Sequence, residues 1–213
     1  MVRGARIGVW REGTFGSSPE TDAVMERTIK RLRGLGATIV DPANIPIEPA
    51  YDPENTALQY EFKHDIAKYL RAYTAPRYPT RLADPIAFNR AHRSQEMRFF
   101  GQEAFLAAQA TSGSLTDPAY VKARRDATTT ARRAVNDTLR KHDLDAVIAP
   151  TNSPAWTTDL VNGDHFLLGS SSPSAISGFP NITVPAGYAS GLPVGASFIG
   201  AKWGEPRLLS LAY

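Results

Sequence analysis

Short apolar runs bounded by turn residues open the chain at Arg6-Ile-Gly-Val-Trp10 and Ala37-Thr-Ile-Val40, and each predicts a strand. Between them Ser18-Pro19 offers an N-cap followed by proline at the first helical position. Val24, Thr28, Ile29, Leu32 and Leu35 then recur at helical spacing, and Gly34 and Gly36 mark the stop. A strand, a one-faced helix and a strand in such close succession predict a βαβ unit, parallel and right-handed.

The middle of the chain carries only helical spacing. Asp41 to Tyr51 holds three prolines and reads as a surface connection, after which Asp52-Pro53 repeats the cap pattern. Leu58, Phe62, Ile66, Tyr69 and Leu70 give the second predicted helix a face that should be buried. Thr74 to Tyr78 reads as a linker. Asp84-Pro85 opens a third helix bearing Ile86, Phe88, Met97 and Phe99, which Gly101 kinks or ends before Gln102 to Ala110 continues helically. Asp117-Pro118 caps the longest helix, whose stripe of Ala123, Ala127, Ala131, Ala134, Val135 and Leu139 is narrow enough for close approach to another element.

Beyond Asp145 the pattern returns to strands. Asp145-Ala-Val-Ile-Ala-Pro150 is a buried run ending in a break, and Ile182-Thr-Val184 with Val194 to Ile199 forms a hairpin that adds an antiparallel pair. Polar loops rich in small residues separate these runs, which is the layout of strands ending at a shaped surface. The expected fold class is therefore α/β, a mixed and mostly parallel sheet covered by helices. No internal repeat or low-complexity tract interrupts it.

Composition changes this picture little. The 213 residues are 42% hydrophobic and 21% charged, enough for a real core and unlike a disordered chain. The longest predicted helix carries Lys122, Arg124, Arg125, Arg132, Arg133, Arg140 and Lys141, yet the chain's net charge is only +3. Without interleaved aromatics or a recognition motif, a solvated basic face explains those residues better than a nucleic-acid surface. The absence of cysteine excludes disulfides and thiolate metal sites and leaves the redox compartment open. The N-terminus lacks a long apolar core, no window approaches the ~18 apolar residues of a span, and a cytoplasmic location is expected. Both ends look abrupt, the last in the midst of an apolar helical pattern at Leu208 to Tyr213.

Three serine clusters invite a nucleophile reading, since a serine needs only a base within reach and donors for an oxyanion. Gly16-Ser17-Ser18 runs into Pro19, so capping explains it, and Thr111-Ser112-Gly113-Ser114 lies in a loop between helices. Ser170-Ser171-Ser172 follows a polar loop and precedes a short helical turn to Ile176, but Pro173 removes an N–H where an oxyanion hole would want one. It is expected to border a pocket rather than to attack a substrate. His64, His92, His142 and His165 show no metal-ligand spacing, and Asp159, Asp164 and His165 only share a loop. No cofactor is called for.

The C-terminal motifs carry a resemblance. Asp145-Ala-Val-Ile-Ala-Pro-Thr151, Ser177-Gly-Phe-Pro-Asn-Ile-Thr-Val-Pro-Ala-Gly187 and Gly191-Leu-Pro-Val-Gly-Ala-Ser-Phe-Ile-Gly200, followed by Leu208-Leu-Ser-Leu-Ala212, resemble the amidase signature family. Tyr60-Glu-Phe-Lys63, Phe88-Asn89, Gly101-Gln-Glu103 and Thr151-Asn-Ser-Pro-Ala-Trp156 look most like its peptide-amidase branch. The resemblance runs nearly the whole length.

The family implies hydrolysis of a carboxamide by a nucleophilic serine, a bridging serine and a lysine base. Those residues sit in an upstream half with a Gly-Gly-Ser-Ser-Gly-Gly-like segment, to which nothing in this sequence corresponds. The resemblance therefore makes residues 1–213 the C-terminal portion of an amidase-signature domain, without catalytic residues of its own and inactive alone. The expected contribution is part of the sheet and one wall of the substrate cleft. Position at strand ends places that wall at Pro150, Thr151, Asn152, Trp156 and Ser170 to Ser172. Expected partners are a small amide or amidated peptide, neither nucleic acid nor membrane, and a second copy through an exposed sheet edge. The alternative is a non-catalytic assembly or binding module on the same scaffold.

Overall fold

The computed structural model describes residues 2–75 and 77–213. Pro76, inside the expected linker, and Met1 lie outside the described residues. The chain divides into two compact units, one formed by the residues up to Pro49 with Thr128–Tyr213, the other by Ala50–Ala127.

The first unit begins with β1 (Arg6–Val9), α1 (Pro19–Gly34) and β2 (Thr38–Val40). The Ser18 side chain caps α1 by accepting the Thr21 N–H, with Pro19 in the first turn. Glu20 and Asp22 in the first turn and Arg31 and Arg33 in the last suit the helix dipole. Gly36 sits at φ +96°, a conformation that side chains rarely adopt, and turns the chain into β2. Leu35 lies just beyond the helix and is exposed, so the apolar stripe stops at Leu32.

The second unit contributes α2 (Tyr51–Tyr73), α3 (Ala83–Ala91), α4 (Arg93–Glu96) and α5 (Glu103–Ala110), and α6 (Pro118–His142) starts in it. A single 3-10 turn at Glu48–Ala50 precedes α2, which starts one residue before the expected Asp52 cap. The single helix expected from Asp84-Pro85 through Phe99 is instead α3 and the four-residue α4. Leu82, Ile86 and Ala108 form a small core with Ile66 and Phe105 packed on it. The expected buried face of α2 is covered only in part: Ile66 and Leu70 are half-buried, whereas Leu58, Phe62 and Tyr69 are exposed at 49%, 38% and 58%, and among the described residues Ala57 is the only fully buried one of the helix. Helical spacing shows that one face is apolar, but not that these residues supply its cover.

After α6 the first unit resumes with β3 (Ala146–Pro150), α7 (Ser172–Ser177), β4 (Asn181–Ala189), β5 (Leu192–Ile199) and α8 (Glu205–Ala212). The five strands form one mixed sheet in the order β2-β1-β3-β5-β4. β1 pairs in parallel with β2 and β3, while β5 runs antiparallel to β3 and β4, as the expected hairpin requires. One sheet face presents Ile7, Val9, Ile148, Ala196 and Phe198 to Met25, Ile29 and Leu32 of α1 and Leu208 and Leu211 of α8. Alternation then sends Val147, Ala149 and Thr151 to the opposite face.

Asp145 staples the start of β3 to β1 and α8. Its carboxylate accepts the Arg6 backbone N–H at 2.8 Å and a two-point contact from Arg207, Nε at 3.0 Å and Nη2 at 2.8 Å. The Arg207 contact holds the Asp145 pKa below the usual carboxylate range, burial opposing it and the Arg6 N–H adding to it. Because the folded value is depressed, the stabilisation is present above the unfolded value of about 3.9 and is lost as pH falls through the folded one. Asp145→Asn is expected to cost about 2 kcal/mol at neutral pH. In thermal melts from pH 7 to pH 2 the gap between wild type and variant should close on the acid side; a gap that is constant throughout would count against the staple.

Candidate functional site

The strand ends of β3 and β5 and the hairpin partner β4 bring three hydroxyls together. Thr183 and Ser197 are direct partners in the β4–β5 register, and Ser197 also lies opposite Ala149 in the β3–β5 register. Thr151, two residues beyond Ala149 on the same face, donates its N–H to Gly195 O at 2.8 Å. Thr151 Oγ1 and Ser197 Oγ lie 2.9 Å apart, Thr183 Oγ1 and Ser197 Oγ 2.9 Å, and Thr151 Oγ1 and Thr183 Oγ1 3.4 Å. Gly195 makes the triangle possible, because a Cβ there would stand 2.7 Å from Thr151 Oγ1 and 2.8 Å from Thr183 Cγ2.

Helix α7 supplies a second wall. The Ser170 N–H donates to Thr151 O at 3.3 Å, which ties the entry to α7 to the end of β3. Arg132 on α6 donates Nε–H to Ser177 O at 2.8 Å and holds the other end. Between this wall and the triangle lies a pocket of about 350 Å³ lined by Thr151, Ser171, Ser174, Asn181, Thr183 and Ser197. Among the described residues no charged side chain lines it. The Ser174 hydroxyl is 9% exposed by residue and has no hydrogen-bond partner among them, and the fully buried Ser170 hydroxyl has none either.

The loop between Asn152 and Gly169 is closed at its base by a bridge between those two residues. Trp156 Nε1–H donates to Asp164 at 2.7 Å, and the Trp156 ring meets Phe166 edge-on with centroids 6.2 Å apart. Asp159 accepts from the Val161 and Asn162 N–H groups, the Asn162 side chain and His165, and these bonds, led by the Asn162 N–H, hold its pKa far below the carboxylate range. The three ionisable residues singled out in this loop thus go to bonds within the loop itself.

Of the residues expected in the cleft wall, Thr151 and Ser171 line the pocket. Pro150 is the buried last residue of β3, paired with Ala196, and Ser172 is the half-buried first residue of α7. Ser170 is wholly buried at the wall's entry, Asn152 is exposed and accepts the Ser153 N–H at 2.8 Å, and Trp156 stands 39% exposed on the loop. Ser174, Asn181, Thr183 and Ser197 complete the pocket and lie outside that expectation. Their signal in the sequence is faint: Thr183 and Ser197 are single polar positions inside apolar strands.

A larger cleft of about 730 Å³ lies in the second unit, lined by Lys63, Lys68, Arg71 and Arg81 among others. Lys63 caps the end of α5 there, donating to Gln109 O and Thr111 O at 2.8 and 2.5 Å. Size alone does not make it the better candidate, since the smaller pocket sits at strand ends, where ligands of open α/β sheets gather. Among the described residues no group of three His, Asp or Glu could hold a metal ion, and no helix is long and apolar enough to cross a membrane.

Comparison with known proteins gives one answer. Residues 2–209 match the family model described as Amidase. A probable amidase of Arabidopsis thaliana is 32% identical over 222 residues, covering 100% of this chain and 38% of the relative. The A subunit of the glutamyl-tRNA(Gln) amidotransferase of Pseudomonas fluorescens is 28% identical over 227 residues, covering 100% and 44%. Among solved structures, a peptide amidase in complex with the competitive inhibitor chymostatin superposes with a TM-score of 0.85 at 40% identity, covering 100% of this chain and 43% of that one. The native peptide amidase of Stenotrophomonas maltophilia gives 0.79 at 38% identity, covering 100% and 42%. The chain spans less than half the length of these relatives. It belongs to the amidase signature family.

Proposed function

We propose that this chain is the C-terminal portion of an amidase-signature hydrolase that splits the carbon–nitrogen bond of a small amide or an amidated peptide. In that enzyme it supplies sheet scaffold and one wall of the substrate cleft, at Pro150, Thr151, Asn152, Trp156 and Ser170 to Ser172. The nucleophilic serine, bridging serine and lysine base come from outside residues 1–213, and the chain alone is inactive. The observation that carries this is the uncharged hydroxyl-lined pocket at the strand ends of a family member. Its serines lack what a nucleophile needs, since among the described residues no His, Lys, Asp or Glu lines the pocket with them.

A polypeptide in which this chain replaces the corresponding segment of a peptide amidase should release ammonia from an amidated dipeptide, while the chain alone should not. Turnover by the chain alone that Ser171→Ala abolishes would sink the proposal. A folded but inert chimera would favour the non-catalytic module, a role to which the nine-residue outer strand β4, paired on one side only among the described residues, is suited.

A further inference from the structure

Helix α2 turns one face to the cleft of the second unit, where His64, Ala67, Lys68, Arg71 and Ala72 follow one another at helical spacing and line it. Arg81 and Leu82, just before α3, and Ser112 and Gly113, just after α5, add to the lining. Lys63 is committed there, with its ammonium on the Gln109 and Thr111 carbonyls. Its stem passes so close to Gly113 that a Cβ at that position would stand 3.1 Å from it. The enclosed volume of about 730 Å³ falls within the range of small-molecule sites, roughly 300–1,000 Å³.

Among the described residues no Asp or Glu lines the cleft. The carboxylates that touch its lining residues are already engaged. Asp84 pairs with Arg81 at 3.2 Å and accepts the Thr80 and Arg81 N–H groups, Asp65 meets His64 Nδ1 at 2.8 Å, and Asp117 accepts the Ser112 hydroxyl at 2.8 Å. Lys68 and Arg71 stand about one helical turn apart on one face, and among the described residues neither has a carboxylate partner. Like charges at that spacing destabilise a helix. On α6, by contrast, Lys122, Arg124, Arg125 and Arg140 each reach a carboxylate within 3.3 Å. The chain's net charge is only +3, so uncompensated cations facing one hollow are a local feature and not a consequence of overall charge.

From this arrangement we infer that the cleft is a binding site for a small phosphate ester. Lys68 and Arg71 together match the charge of about −1.5 to −2 that such a group carries near neutral pH. The planar Arg71 guanidinium takes two phosphoryl oxygens at once, and the Lys68 ammonium adds a point charge. A monocarboxylate would leave one of the two cations unanswered. Buried Leu82, with Ala67 and Ala83, offers apolar surface to the organic body of the ester. A concave site takes such a molecule inside, whereas a lipid surface would meet only the rim. The inference stands apart from the amidase reading, because none of these residues belongs to the proposed cleft wall.

Phenyl phosphate and benzoate share a ring and differ in the anion. Both are titrated into the 213-residue chain in phosphate-free buffer at about 0.15 M chloride, where exposed charges are screened beyond ~8 Å. Phenyl phosphate should shift the backbone amide NMR signals of Lys68, Arg71 and Leu82 saturably and raise Tm with its concentration. It should bind at least about tenfold more tightly than benzoate. Arg71→Gln should weaken it about tenfold and leave the Tm of the unliganded chain unchanged or higher, since a like-charge pair is removed. Arg90→Gln, at an exposed position of α3 outside the lining, should leave the affinity unchanged.

Equal affinity for the two ligands, shifts confined to α6, or no binding of phenyl phosphate would each overturn the inference. A lower Tm with affinity intact in Arg71→Gln would make that residue structural and overturn it too. So would capture of the chain by phosphatidylglycerol vesicles without affinity for phenyl phosphate, which would give the basic face to a membrane surface. Turnover by the chimera is read without either ligand, so this site and the hydrolase proposal can each fail while the other stands.

Discussion

Ile148→Ala is expected to cost about 3–4 kcal/mol of folding stability, the range for truncating a fully buried aliphatic side chain. Ile148 is 0% exposed at the centre of β3, between β1 and β5, and its side chain belongs to the core with Ile7, Val9, Ala196 and Phe198. Its carbonyl also accepts the Trp10 N–H at 3.0 Å, so a collapse of the backbone into the cavity would strain the end of β1. The neighbours are held in sheet register and cannot close in freely, which places the cost in the upper part of the range. Ile148→Val, which leaves most of the volume filled, should cost about 1 kcal/mol. Urea unfolding should show the loss as a lower midpoint with the slope unchanged. A loss below about 1 kcal/mol for the alanine variant would mean that this face is not the core that positions Thr151 farther along the same chain segment.

How much of this was legible in the sequence depended on how local the signal was. Ser18-Pro19 and the stripe from Val24 to Leu32 specified α1 because cap, proline and buried face all lie within one helix. Ile182-Thr-Val184 and Val194 to Ile199 specified a hairpin because turn and alternation are local too. The stripe of Leu58, Phe62 and Tyr69 predicted burial that is not there, since periodicity records a demand for cover and not its source. The site was less legible still. A run of serines points to Ser170 to Ser172, but of these only Ser171 lines the pocket, and the lining continues at Ser174, just past the proline. Thr183 and Ser197 join Thr151 only through strand register, and register is a property of the folded sheet.

The basic residues of α6 are where the second large effect is expected, and it falls on one of them alone. Arg124→Ala should cost about 3 kcal/mol, whereas Arg125→Ala should stay within about 0.5 kcal/mol. Arg124 meets Glu61 at two points, Nε to Oε1 and Nη2 to Oε2, both 3.0 Å, and Glu54 through Nη1 at 2.6 Å. Tyr120 OH donates to the same Glu61 Oε1 at 2.8 Å. Burial works against the Arg124 charge, but Glu54 and then Glu61 outweigh it and raise its pKa. Removing the guanidinium leaves two carboxylates facing each other, with the Glu54 and Glu61 side chains only 15% and 27% exposed. Most of the cost is that uncompensated charge, so adding Glu54→Gln and Glu61→Gln to Arg124→Ala should recover a large part of it. Arg125, its side chain 68% exposed and facing only Asp126 among the described residues, leaves no such charge behind. Urea titrations of these variants separate the two accounts of the helix: a uniform small effect along the row would describe a solvated basic face, while a loss concentrated at Arg124 makes it the tie between α2 and α6 within the second unit.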